Sequence, residues 1–193
     1  MIGIDHEYIP ETAPQGDTPG ERPDVQNVYC EIMQMGACKL DRAGREVGVL
    51  NLTVRAHRII TIPRWLTKMT GMTEDKRAQG VSFPEALQRL VAFVGDDTEV
   101  WTFNGDWWVL EGNAKAHGIA LPFKKPFARL KPLLPEKGIT LEQFKAKGFS
   151  EVCSGGMYSV LGIELPAIAG VGAHDAAHDA RSLAYSIHHL GLE

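Results

Sequence analysis

Residues 1–8 place Ile2 and Ile4 two apart and then Asp5 and Glu7 two apart. An apolar start that ends in acids predicts a first strand. Residues 9–27 break that pattern with Pro10, Pro14, Pro19 and Pro23 among Gly, Asp and Glu, which predicts a surface loop. Residues 28–40 alternate in part, with Val28, Cys30, Ile32, Met33, Met35, Ala37 and Leu40, and read as a strand. Asp41-Arg42-Ala43-Gly44 is a turn signal. Residues 46–56 follow with Val47, Val49, Leu50, Leu52 and Val54, so the two runs predict a β-hairpin.

The middle of the chain changes period. Pro63 opens a short helix through Leu66 to Thr70, which Gly71-Met72 stops. Thr73 caps another short helix containing Glu74, Asp75 and Lys76. Ser82 and Glu85 have capping-box spacing, and Leu87, Leu90, Val91 and Val94 form the stripe of the helix behind them. Residues 99–103 read as a further strand and 105–118 as a helix. Residues 129–134 read as a strand that Pro132 weakens. Short helices are expected from Thr140 and from Gly156, and a longer one over 175–190 carries Leu183, Ile187 and Leu190. Strands first and mixed elements afterwards predict an α/β fold with a mixed sheet.

A chain of 193 residues suits a single domain spanning 1–193. Hydrophobic residues at 44% and charged residues at 23% fit a globular protein with a sizeable core. A net charge of -4 excludes a protein that coats nucleic acid through bulk positive charge. Three cysteines with no CxxC pair suggest reduced thiols. With no transmembrane stretch and no signal peptide in the pattern, a cytoplasmic location without membrane association is expected.

The candidate chemistry lies in acids scattered along the chain. Asp5 and Glu7 share one face of a strand, so both can approach one cation, while His6 points the other way. Asp106 follows a strand and opens a helix, where strand ends project into a crevice. Alone, each also reads as an ordinary strand-end or helix-start acid. His174 and Asp179 are five apart, so on one continuous helix they would diverge by about 140°. If His174 lies just before the helix, it can fold back over the site that Asp179 reaches, and Gly170 and Gly172 would allow that approach. Ala176, Ala177 and Ala180 make the helix thin enough to pack close to a sheet. Gathered together, four carboxylates could hold two divalent cations, which is equipment for phosphodiester hydrolysis.

These three segments resemble the three motifs of the DEDDh 3′–5′ exonuclease superfamily. Residues 66–73 (Leu-Thr-Lys-Met-Thr-Gly-Met-Thr) and 82–87 (Ser-Phe-Pro-Glu-Ala-Leu) are similar to its exoribonuclease branch, which trims structured and small RNAs. Glu31-Ile32-Met33-Gln34-Met35-Gly36-Ala37 resembles its second strand. The resemblance covers nearly all of the chain and implies an RNase H-like mixed β-sheet flanked by helices. It implies Asp5, Glu7, Asp106 and Asp179 as ligands of two Mg²⁺ or Mn²⁺ ions and His174 as general base. Its expected activity releases nucleoside 5′-monophosphates from a nucleic-acid 3′ end, with RNA favoured over DNA and a single-stranded or short partner. Tyr8, Thr70, Met72 and Trp107 are the expected substrate contacts. A homodimer is left open by relatives that complete their groove in that way. Three departures stand out: the long Pro-rich loop, His6 where an apolar residue is usual, and the surroundings Asn104-Gly105-Asp106.

Other readings compete. His174 and His178 have the spacing of a helical zinc pair, but no third ligand is evident and the three other acids stay unused. His174-Asp175 could be the doublet of a helical phosphohydrolase, which the leading strands oppose. A catalytically silent interaction module on the same fold is opposed by the presence of all five groups. Trp101 and Phe103 read as core. Lys124, Lys125, Arg129 and Lys131 form a basic cluster that could meet phosphates or solvent.

Overall fold

The computed structural model describes residues 1–20, 24–96, 99–166 and 174–192. Five strands form one sheet in the order β3-β2-β1-β4-β5. They are β1 (Ile2–Pro10), β2 (Cys30–Leu40), β3 (Glu46–Thr53), β4 (Val100–Thr102) and β5 (Ala128–Arg129). β1 pairs antiparallel with β2, and β2 with β3. β1 and β4 are parallel, as are β4 and β5. The expected hairpin and the mixed sheet are therefore both present.

Local chemistry fixes the helices. Helix α1 (Arg64–Thr70) stops at Gly71, which takes a left-handed conformation. The Thr73 side chain accepts the Lys76 N–H and starts α2 (Glu74–Ala78). Ser82 accepts the Glu85 N–H and starts α3 (Phe83–Val94). Phe83, Ala86, Leu87, Leu90 and Val94 of α3 are buried, and each large side chain removed from water contributes about 1.5–3 kcal/mol. They join Val109, Leu110 and Ala114 of α4 (Asp106–Ala116) against Ile2, Ile4, Ile32 and Ala37 of the sheet.

The other face is covered by α5 (Leu141–Ala146), α6 (Met157–Val160) and α7 (Ala176–His189). Phe144, Met157, Leu183 and Ile187 pack there on Trp101 and Phe103, the two aromatics expected in the core. Helix α7 lies unusually close to the sheet. A β-carbon on Gly3 would come within 2.7 Å of the Ala180 carbonyl oxygen, and one on Gly36 within 2.1 Å of Ala176. Glycine on the strands and alanine on the helix are what permit this contact. A buried ion pair, Glu31 with Arg77 at 2.5 Å, holds the segment after β3, because Glu31 also accepts the main-chain N–H groups of His57, Arg58 and Ile59.

Several boundaries differ from the sequence pattern. β1 runs on to Pro10, and Val28 and Tyr29 precede β2, so the excursion between them spans 11–29 rather than 9–27. β3 ends at Thr53, before Ala56. The strand expected over 129–134 is confined to Ala128–Arg129, and Lys131–Leu133 form a 3-10 turn. Pro132 has no N–H to give a ladder, and its fixed φ suits the first turn of a helix. No described helix is long and apolar enough to cross a membrane.

Candidate active site

Strand parity builds the site. Gly3, Asp5 and Glu7 occupy the face of β1 toward α7, whereas Ile2, Ile4 and His6 occupy the face toward α4. Because β1 and β4 are parallel, their C-terminal ends lie together. The chain leaving β4 turns through Asn104 and Gly105 and opens α4 with Asp106. The first turn of α7 brings Asp179 to the same place. All four carboxylates are buried: Asp5 is 7% exposed, Glu7 9%, Asp106 6% and Asp179 4%.

His174 sits just before Asp175, the N-cap of α7, with its backbone in the left-handed region at φ 65°. A histidine there is uncommon and carries strain. Its main-chain N–H is donated to the Asp179 carboxylate, which holds the bend. Ligand atoms of Glu7, His174 and Asp179 all lie within 4.8 Å of one another. Gly170 and Gly172 lie outside the described residues.

Neighbours that the motifs do not reveal orient these groups. Ser154 donates to Asp179 Oδ2 at 3.4 Å. Gly155 packs so tightly on that carboxylate that a β-carbon would sit 2.4 Å from Oδ1. Asp175 caps α7 by accepting from the N–H groups of Ala177 and His178. Gln34 donates to Asp175 at 2.8 Å and accepts the Ala176 N–H, and Asn51 also donates to Asp175. The α7 N-terminus is thus tied to β2 and β3. His6 does face away from Asp5 and Glu7, but its face is that of α4. Its N–H donates to Asp106 Oδ1 at 3.0 Å, and its ring Nδ1 lies 3.4 Å from the same oxygen.

The electrostatics are those of buried, crowded carboxylates. Burial raises the Asp5 carboxyl well above the usual range, and the negative charges of Asp106, Asp179 and Glu7 raise it further. Asp179 is pushed up to about 7, chiefly by burial and against the hydrogen bonds from His174 and Ser154. Asp179 Oδ1 is buried with no hydrogen-bond partner among the described residues. A buried anion left in this condition is costly unless it meets a cation. An all-oxygen set with an unsatisfied carboxylate oxygen therefore fits hard divalent cations.

These groups line a cavity of about 650 Å³. Tyr8 is on its wall, as are Phe103, Asn104, Lys131, Glu151 and Cys153. Three of the expected substrate contacts are engaged elsewhere. Thr70 accepts the Met72 N–H and donates to the Leu66 carbonyl, Met72 is buried beside Ile62, and Trp107 packs edge-on against Phe123 and Phe127. Trp65, Leu66 and Met69 of α1 take the wall instead. His178 stands edge-on against Tyr158, its ring centroid 5.4 Å away, rather than joining His174 in a ligand group. Asp175 is consumed as a cap. Among the described residues, neither the zinc pair nor the His174-Asp175 doublet is assembled.

No protein-family model matches the chain, and no curated protein matches its sequence. Solved structures do match. The nuclease domain of 3′hExo, a DEDDh family member bound to rAMP, superposes with a TM-score of 0.70 at 16% identity, covering 99% of this chain and 90% of that one. Cell-death related nuclease 4 gives 0.68 at 16% identity over 99% of this chain and 63% of its own. Exonuclease X, solved with 5′ overhanging duplex DNA, gives 0.56 at 14% identity over 98% and 89%. At these identities the likeness establishes the fold: a mixed five-stranded sheet flanked by helices, of the RNase H-like kind found in DEDDh exonucleases.

Proposed function

We propose that this chain is a metal-dependent 3′–5′ exonuclease of the DEDDh type, acting on single-stranded or short nucleic acid, with RNA preferred over DNA. The observation that carries the reading is the convergence of Asp5, Glu7, Asp106 and Asp179 in one cavity with His174, on a fold shared with DEDDh exonucleases. Asp5, Glu7, Asp106 and Asp179 would hold two Mg²⁺ or Mn²⁺ ions, which when bound supply charge neutralisation at the phosphodiester and a more acidic water.

The chain's own groups do the rest. His174 stands beside Glu7 and Asp179 and takes the proton of the attacking water, the role of a general base. Its bent backbone, held by the bond to Asp179, fixes the ring before substrate arrives. Ser154 and Gly155 hold Asp179, and the His6 N–H holds Asp106, so the carboxylates need little rearrangement. Tyr8 and the α1 wall exclude water around the terminal nucleotide. The product is a nucleoside 5′-monophosphate. Cys30, Cys38 and Cys153 form no disulfide with one another, which supports a cytoplasmic setting.

The test is a time course on matched 5′-labelled single-stranded RNA and DNA with Mg²⁺, Mn²⁺ or chelator. Shortening from the 3′ end that requires metal and is lost in His174→Ala and Asp179→Ala supports the reading. Intact substrate under every metal overturns it.

A further inference from the structure

The excursion over 11–29 is not needed to join its strands. β1 and β2 are still paired where it leaves, at Pro10 and Cys30, and Glu11 N–H donates to the Tyr29 carbonyl at 2.9 Å. A two-residue turn could close this hairpin. Instead, the chain makes a detour and is fastened along it. Trp65 Nε1 on α1 donates to the Pro14 carbonyl at 3.1 Å. Lys68 Nζ of the same helix pairs with Asp17 at 2.9 Å. Ala13 packs on the apolar cluster of Ile9, Ile62 and Leu66. On the return, Val25 sits against Gly105, one residue before Asp106; a β-carbon there would be 2.7 Å from Val25 Cγ2.

This strap lines the same cavity as the catalytic acids, through Thr12, Pro14, Pro19, Gly20 and Val25. Its described parts thereby reach both the α1 side of the cavity and the turn that presents Asp106. The cavity, about 650 Å³, is of small-ligand size. Charge works in the same direction. Lys131 is the one Lys or Arg on the described wall, beside Glu151 and the four site carboxylates. The described strap residues include Glu11, Asp17 and Asp24 and no Lys or Arg. Duplex binding draws its affinity from phosphates neutralised on both strands, and the described strap residues offer the second strand no cation.

Resting on the exonuclease reading, we propose that the 11–29 strap is a selectivity element that admits a single-stranded 3′ end and excludes a duplex one. The first variant replaces residues 12–28 with Asn-Gly, closing the β1–β2 hairpin directly. The second is Lys68→Glu, which sets two acids against each other at the fastening, with Asp17→Lys/Lys68→Glu as its rescue. Each protein is tested on one labelled strand, either alone or annealed to a blunt-ended complement.

Wild type is expected to favour the single strand in kcat/KM by roughly 100-fold. The hairpin variant should lose most of that ratio through a gain on the duplex. Lys68→Glu should raise duplex cleavage by about three- to fivefold, in keeping with a surface ion pair, and the double variant should return it. A ratio unchanged within about twofold in both the folded hairpin variant and Lys68→Glu overturns the proposal while leaving the exonuclease reading intact. If wild type shortens neither substrate, that reading fails on its own. Fluorescence anisotropy of the same labelled ends in Ca²⁺ then decides the strap: single-strand preference in wild type that is lost in the hairpin variant supports it, and equal binding in both proteins overturns it.

Discussion

Replacing Gly36 with alanine tests whether the α7–sheet contact sets the catalytic geometry. The new β-carbon would lie 2.1 Å from the Ala176 carbonyl and 2.4 Å from the Ala177 nitrogen. Both obstacles are backbone, so no side chain can swing aside. Side-chain β-carbons essentially never approach below 3.0 Å. The gap must therefore open from 2.1 Å to 3.0 Å, a retreat of roughly 0.9 Å at the first turn of α7, on the scale at which misplaced groups lose about 100-fold in rate. Asp179 and His174 travel with that turn, while Asp5 and Glu7 stay on β1, which is bonded to a strand on either side. Overpacking of this kind costs about 1–3 kcal/mol, so the protein should remain folded at 25 °C. The assay is the kcat for 3′-terminal shortening of a labelled oligonucleotide, with circular dichroism and thermal unfolding run alongside. Gly112→Ala is the matched control, since its β-carbon meets nothing nearer than Tyr29 at 3.9 Å. It lies within α4, the helix that carries Asp106, and should gain about 0.5–1 kcal/mol with an unchanged rate. A folded Gly36→Ala protein within about threefold of wild type would refute the claim that close packing positions the site.

The remaining predictions concern the charges. Asp179 is pushed up to about 7 from an ordinary 3.8, so the folded protein binds the extra proton between those values. Its stability contribution is whole below pH 4 and is lost as pH rises through 7, at up to about 1.4 kcal/mol per unit. The metal-free melting temperature should thus fall from pH 5 to pH 7.5, and Mg²⁺ should raise it more at 7.5 than at 5; a flat profile without metal contradicts the assignment. Asp5→Asn removes a buried charge repelled by three others, so the metal-free protein should melt higher while its Mg²⁺ response disappears, which calorimetry would read. Ser154→Ala should weaken metal affinity by about 10–100-fold with the fold retained, measured by Mn²⁺ titration. Arg77→Met leaves Glu31 buried without its cation and should cost about 3–5 kcal/mol in urea unfolding.

What the sequence could and could not convey follows from the range of each interaction. Ser82, Thr73 and Gly71 act on residues within one helical turn, so the helix ends could be read directly. Period-2 alternation put Asp5 and Glu7 on one face, and small residues announced the thin helix that Gly3 and Gly36 receive. Gln34 and Asp175 are 141 residues apart, and Ser154 and Asp179 are 25 apart. No local pattern reveals such partners. The α1 wall was hidden from the sequence for a different reason. Trp65, Leu66 and Met69 share a face at spacings of three and four, but which face meets the cavity depends on how the whole helix docks. Thr70 and Met72 fall on its closing turn, where backbone bonding consumes the hydroxyl and packing consumes the thioether.

The strap and the carboxylates answer different constraints, which is why the sequence resemblance could reach one and not the other. On the proposed function the acids answer to the reaction: two hard cations would call for oxygen ligands at set places, which β1, α4 and α7 bring into one cavity. That demand overrides stability, as the buried, mutually repelling Asp5 and Asp179 attest. A loop between two paired strands carries no such requirement. Its length can change without disturbing the β1–β2 ladder, at a cost that grows only slowly with residues added. Departures from the DEDDh pattern should therefore collect in elements such as 11–29, at the rim of the cavity, where, on the proposed function, they would alter which 3′ ends enter without altering the chemistry at the phosphodiester inside.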